Sequence, residues 1–173
     1  VTTGDATDDG ISITTGSAAT SITANGASDV VTVNATALAD NATLTLAGSA
    51  ARTVTGLRGD LAASGVSGAL NATTVAVASG LSIATGSGPN TITASALTAG
   101  QTLTLTGSSA ATVTLNAGAS SGTLAAGAYT GNLTVTAGTG ANAITAGNGT
   151  NTITGGGGAD ILTGGTGSDT FNF

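Results

Sequence analysis

Two aspartates, Asp160 and Asp169, stand nine residues apart, each behind a run of glycines and two places ahead of a large apolar residue, Leu162 and Phe171. The segments read GGGGADILT (155–163) and GGTGSDTFN (164–172), back to back. A carboxylate is a hard anionic oxygen donor. Glycines let the chain curl until backbone carbonyls point inward beside it, and this flexible, all-oxygen shell is the one calcium takes. The apolar residue must then anchor the turn to a folded body.

Other reactive chemistry is scarce. The 173 residues include no His, Cys, Met or Trp, and no Lys or Glu either; all eight acids are Asp, and the two bases are Arg52 and Arg58. Acyl-transfer triads, zinc sites, thiol chemistry and Schiff-base chemistry each need a residue type that is missing, so an enzyme is not expected. Two arginines against a net charge of -6 leave no basic stripe for phosphates, so neither nucleic acid nor an anionic membrane surface is an expected partner. No apolar run approaches the roughly 20 residues of a membrane span. Beginning on Val without a charged-then-apolar leader, the chain reads as part of a longer polypeptide.

The scaffold that holds the glycine turns is legible in the apolar spacing. Val135, Ile144, Ile153, Leu162 and Phe171 recur every nine residues, and upstream the marks continue more loosely through Leu124, Val113, Leu105, Ile92 and Ile83 to Ile22 and Ile13. Around each mark apolar and polar residues alternate, as in TLTLTG (102–107) and NLTVT (132–136), the period of a half-buried strand. Between marks lie Gly, Asn, Ser and Ala, which suit tight turns. With aromatics at 2% no thick globular core forms, while a mean hydropathy of +0.38 is too high for disorder. Short stacked strands with one inward apolar residue per turn give an all-β fold, a right-handed parallel β-solenoid of about nine coils. Its inward column is expected to include Ile92, Leu105, Val135, Ile144, Ile153, Leu162 and Phe171. A longer repeat overlies the short one: SITTGSAATSITA (12–24) returns as SIATGSGPNTITA (82–94), and LTLAGSAARTVT (44–55) as LTLTGSSAATVT (103–114). The offsets of 70 and 59 differ by one rung, NGASDVVTVN (25–34), and whole rungs are what a stack gains or loses. GLRGDLAASGVSGALNA (56–72) is the least regular stretch and reads as a loop bulging from one face. Residues 1–136 are thus expected to form an irregular solenoid with a degenerate repeat, continuous with a regular roll over 137–173.

The last four units, AGTGANAIT (137–145), AGNGTNTIT (146–154), GGGGADILT and GGTGSDTFN, approach G-G-x-G-x-D-x-U-x, and the final two match it in full. This resembles the RTX, or hemolysin-type calcium-binding, repeat family, most like the repeat regions of bacterial S-layer proteins and large RTX adhesins. The resemblance implies a β-roll with calcium held between turns. It implies Asp160 and Asp169 as ligands, with carbonyls of Gly156, Gly158, Gly165 and Gly167. The chain departs from the family where the eighteen-residue stacking partners of these aspartates are Asn142 and Asn151. An Asn carbonyl ligates without supplying charge, so such sites are weaker than double-Asp ones. An asparagine ladder can also close the turn by hydrogen bonds without metal.

Remaining features have ordinary readings. GDATDDG (4–10) lacks the spacing of an EF-hand loop and reads as a solvated turn, and Asp29, Asp40 and Asp60 read as surface. Asn34, Asn41, Asn71, Asn132 and Asn148 begin N-x-T triplets at a frequency chance explains. Pairs such as Thr91/Thr93, Thr102/Thr104 and Thr152/Thr154 look like the T-x-T arrays of ice-binding solenoids, although Thr is also the favoured outward strand residue. The composition and the RTX resemblance together point to a structural calcium-binding protein of a bacterial cell surface. It is expected to self-assemble into a layer or fibre, with copies of itself, calcium and cell-surface polysaccharide as expected partners. A calcium-dependent folding and secretion module of a larger type I secreted enzyme, and an ice-binding solenoid, are the alternatives.

Overall fold

The computed structural model describes residues 2–3, 10–26, 30–115 and 121–173. Among them lie eighteen strands, from Thr2–Thr3 to Thr170–Asn172, and no helix. Successive strands alternate between two sheets of nine, so each sheet takes every second strand of the chain. All the strand pairings are parallel. A chain that winds in this way, one strand per face per turn, is a β-solenoid. Eight steps between nine stacked strands give a rod about 38 Å long at about 4.8 Å per step.

Coil length varies upstream and settles toward the C-terminal end. Thr20 pairs with Leu44, twenty-four residues on, whereas Thr43 pairs with Asp60, seventeen on. Over the last coils the offset is eighteen on both faces, as in Ala143 with Ile161 and Thr152 with Thr170. That constancy follows from two nine-residue units per coil.

The core is the thin seam between the faces. Ile92, Leu105, Val135, Ile144 and Ile153 are buried in it, as the spacing requires. Leu162 is only partly buried against it, and Phe171 is 38% exposed, which corrects the expectation that the column is buried throughout. The reason is positional: Thr170–Asn172 is the last strand of its sheet and pairs only with Thr152–Thr154. The stretch 56–72 is also corrected. It is no bulging loop, because Ala51–Leu57, Asp60–Val66 and Leu70–Thr74 are strands in the stack, and Leu57, Leu61, Ala63, Val66, Leu70 and Ala72 are buried. Two register shifts, between Thr45 and Ala47 and between Val54 and Leu57, absorb its irregular spacing.

The two outer faces differ. On the sheet ending in Thr170–Asn172, one outward column runs Ser12, Thr32, Thr53, Asn71, Thr91, Thr112, Thr134, Thr152, Thr170. The other runs Thr14, Asn34, Thr55, Thr73, Thr93, Thr114, Thr136, Thr154, Asn172, broken once by the shift after Val54. None of these side chains is buried and none is charged. The opposite face interleaves its threonines with Ala62, Ala84, Ala125 and Ala143.

Ile92→Ala removes a side chain sandwiched between rungs on both sides and is expected to cost about 2–5 kcal/mol, read from the urea midpoint at constant slope. Phe171→Ala, on the uncovered rung, should cost less than half of that. Equal losses at the two positions would contradict the open end of the stack.

Candidate metal centre

The nonapeptide turns sit at the two edges where the chain passes from one face to the other. Asp160 precedes strand Ile161–Thr163 on one sheet, and Asp169 precedes Thr170–Asn172 on the other. They are therefore two separate turns and not one acidic cluster, and no group of three or more Asp occurs among the described residues. The three acids of GDATDDG, Asp5, Asp8 and Asp9, and also Asp29, lie outside the described residues.

Glycine is required in these turns because successive coils touch backbone to backbone. A Cβ on Gly156 would lie 2.2 Å from Gly138 O, and one on Gly165 2.0 Å from Gly147 O. Both residues also have positive φ, +85° and +99°, which a side chain disfavours. Gly158 and Gly167 meet the same obstacle from Gly140 and Gly149, and all four of these glycines are solvent-exposed. The first glycine of each unit makes room for the carboxylate: a Cβ on Gly155 would come within 2.6 Å of Asp160 Oδ2, and one on Gly164 within 2.2 Å of Asp169 Oδ2.

Each carboxylate reaches back to the coil before it. Asp160 Oδ1 accepts hydrogen bonds from the Asn142 backbone N–H at 2.8 Å and from Asn142 Nδ2 at 3.2 Å. Asp169 Oδ1 accepts from the Asn151 N–H at 3.0 Å and from Asn151 Nδ2 at 2.8 Å. The asparagines are buried, and their carbonyls are turned away from the aspartates. Asn142 Oδ1 accepts from Gly122 N–H, and Asn151 Oδ1 from Leu133 N–H.

The match to known sequence families decides what these turns are. Residues 136–171 match the RTX calcium-binding nonapeptide repeat, in four copies. No match was found among curated proteins or among solved structures. The donor set of the two Asp-bearing RTX turns, a carboxylate beside glycine carbonyls on an exposed edge, is of the hard-oxygen kind that calcium takes. No helix among the described residues is long and apolar enough to cross a membrane.

Several residues that tie the turns of the stack together escaped sequence reading. Arg52 is 1% exposed. Its Nη1 donates to Ala50 O at 2.6 Å, and its Nη2 donates to Ala24 O at 3.0 Å and Ala47 O at 2.5 Å. Burial pulls its pKa down, yet a guanidinium stays charged at neutral pH. Asn90 donates through Nδ2 to Gly88 O at 2.8 Å and Gly86 O at 3.4 Å. The signal for it was present in the echo TGSGPNTIT (85–93). Tyr129, fully buried, donates from its hydroxyl to Ser109 O at 2.7 Å. Asp40, read as surface, links coils by accepting from the Ala78 N–H at 2.7 Å and from Arg58 Nε at 3.2 Å. The Ala78 N–H, opposed by partial desolvation and helped by Arg58, holds its carboxyl below the usual carboxylate range.

Gly165→Ala is expected to loosen the last coil selectively. Hydrogen exchange should speed up over 161–172 while Ile92 and its neighbours keep their protection; uniform loss or no change would count against backbone contact as the reason for this glycine.

Proposed function

We propose that the chain is a calcium-stapled structural module of a bacterial cell exterior, which works by assembling with copies of itself into a layer or fibre and not by catalysis. Asp160 with carbonyls of Gly156 and Gly158, and Asp169 with those of Gly165 and Gly167, hold calcium. The ion neutralises the carboxylates and fixes the turns, adding stability by mass action because it binds the folded form alone. The observation that carries the reading is the match of residues 136–171 to the RTX calcium-binding repeat, with Asp160 and Asp169 set beside solvent-exposed glycines in two of its turns. Between these turns Ile161, on strand Ile161–Thr163, is 71% exposed on the outer face, where another copy can cover it. With charged residues at only 6% of the chain, little long-range repulsion opposes close packing.

Calcium titration and electron microscopy test this together. The parent is expected to take up calcium at about millimolar concentration and to form ordered sheets or filaments, and Asp160→Ala/Asp169→Ala should lose both. Unchanged uptake by the double variant would put the sites elsewhere. Particles that bind calcium yet stay monomeric at high concentration would instead support a folding and secretion module.

A second reading, ice binding, is supported by the two outward columns described above. Fourteen of their eighteen side chains are Thr, the others being Ser12, Asn34, Asn71 and Asn172. Hydroxyl and methyl groups thus repeat at about 4.8 Å between rungs and about 6.6 Å along each strand, a two-dimensional lattice, interrupted once by the shift after Val54, that can order water. Thr102 and Thr104 lie on the opposite face and do not contribute. On this reading the parent inhibits ice recrystallisation, Thr112→Lys/Thr134→Lys abolishes the effect, and Thr104→Lys leaves it intact. An inactive parent removes the reading.

A further inference from the structure

The edge position that carries Asp169 forms a column through the stack, and three of the side chains on it share one task. Arg52 pairs with Leu70, Leu70 with Asn90, Asn90 with Ala111 and Ala111 with Leu133. Asn151 and Asp169 occupy the next two rungs, linked by the Leu133 N–H to Asn151 Oδ1 and the Asn151 N–H to Asp169 Oδ1 bonds. Three members of this column point N–H donors at the backbone oxygens of their own turn. Arg52 takes the carbonyl two residues before it, and so do Asn90 and Asn151, which also take the carbonyl four before.

Asn151 shows the arrangement most completely. Its Nδ2 lies 2.9 Å from Gly149 O, 3.2 Å from Gly147 O, 2.9 Å from Gly164 O of the next coil and 2.8 Å from Asp169 Oδ1. On the opposite edge, Asn142 Nδ2 repeats it with Gly140 O at 2.6 Å, Gly138 O and Gly155 O at 3.4 Å, and Asp160 Oδ1 at 3.2 Å. Four oxygens from two coils thus converge on one nitrogen. The amide orientation is dictated by partners that have no choice of role, since backbone carbonyls only accept and the N–H groups of Gly122 and Leu133 only donate.

A hard cation would take this same set of oxygens. The geometry points to the side-chain N–H groups of Asn142 and Asn151, and upstream those of Asn90 and Arg52, as built-in substitutes for calcium, so that these turns close without metal and only the Asp160 and Asp169 turns demand it. Two N–H donors on the amide and the charged fork of the guanidinium satisfy oxygens that a metal ion would otherwise gather. Asn142 and Asn151 are therefore not ligands but occupants of the ligand cage. The inference rests on the calcium reading above for the Asp turns, and is separable from it.

Asn151→Asp turns the occupant into a ligand. With Asp169 it puts two carboxylates against the carbonyls of Gly147, Gly149 and Gly164. Native mass spectrometry should then count one more calcium per chain than in the parent. Each tenfold rise in free calcium above the dissociation constant should raise the variant's folding constant about tenfold beyond any effect on the parent, and in EDTA its last coils should exchange amide hydrogens faster than the parent's. Asn151→Ala should be destabilised equally in calcium and in EDTA, with the parent's calcium count. Asn142→Asp repeats the gain on the other edge if Asn151→Asp does not fold. A calcium count that falls in Asn151→Ala would make Asn151 a ligand and overturn the inference, as would failure of both Asp variants to gain an ion. A parent that binds no calcium, beside an Asn151→Asp variant that does, would sink the calcium reading of Asp160 and Asp169 and leave the inference standing.

Discussion

The constraint on which this fold depends is the inward-facing backbone carbonyl at each edge of the stack. Within a sheet the ladder satisfies N–H and C=O alike, but where the chain turns from one face to the other, carbonyls such as those of Ala50, Gly88, Gly140 and Gly149 are met by side-chain donors. A buried unpaired polar group costs about 1–3 kcal/mol, a large fraction of a domain's stability when it recurs in every coil. The molecule meets it with whatever donor each coil carries. Arg52 reaches three coil-edge carbonyls, Asn90, Asn142 and Asn151 reach two or more each, and Gln101 donates to Val77 O. At the rung of Ala111, one of three in its column whose side chains have nothing to donate, the carbonyl two residues earlier belongs to Ser109, and the Tyr129 hydroxyl takes it.

The same edges explain the composition. Coils approach so closely that a Cβ on Gly131, Gly147 or Gly149 would overlap a carbonyl oxygen in the coil before, at 2.2, 1.7 and 2.2 Å. Glycine there is a steric requirement of stacking. The seam between the faces is narrow, so the core is filled with Val, Leu, Ile and Ala, and one aromatic, Tyr129, is fully buried. The outer faces need only β-forming polar residues, which makes Thr abundant and charge rare. A chain built in this way draws stability from nearest-neighbour contacts repeated along the rod, and its ends are less covered than its middle, as Leu162 and Phe171 show against Ile144 and Ile153.

Much of this was legible where the sequence keeps strict time. From Val135 to Phe171 the nine-residue spacing translates directly into an eighteen-residue register, and the stacking of Asp160 over Asn142 and Asp169 over Asn151 follows from it. Upstream the offset wanders between seventeen and twenty-four residues, so periodicity alone could not align the rungs, and 56–72 looked like a loop although two register shifts carry it through both sheets. The burial of Arg52 was not legible for a different reason. Arginine is seldom fully buried unless paired, and here its partners are backbone carbonyls, which leave no trace in a sequence. The internal repeat did contain a hint, because it aligns Arg52 with Ala111, a position whose alternating pattern faces the seam.

The character of the edge column changes along the rod. It holds a permanent cation at Arg52, neutral amides at Asn90 and Asn151, and a carboxylate at Asp169. A guanidinium or an amide brings its own donors, so its turn is complete as soon as the coil forms. A carboxylate brings only acceptors to a place already crowded with carbonyl oxygens, and it adds negative charge to them. On the proposed reading, what the earlier coils carry within the chain, the Asp160 and Asp169 turns take from solution. These two turns flank strand Ile161–Thr163, so a cation held at either one fixes an end of the strand between them.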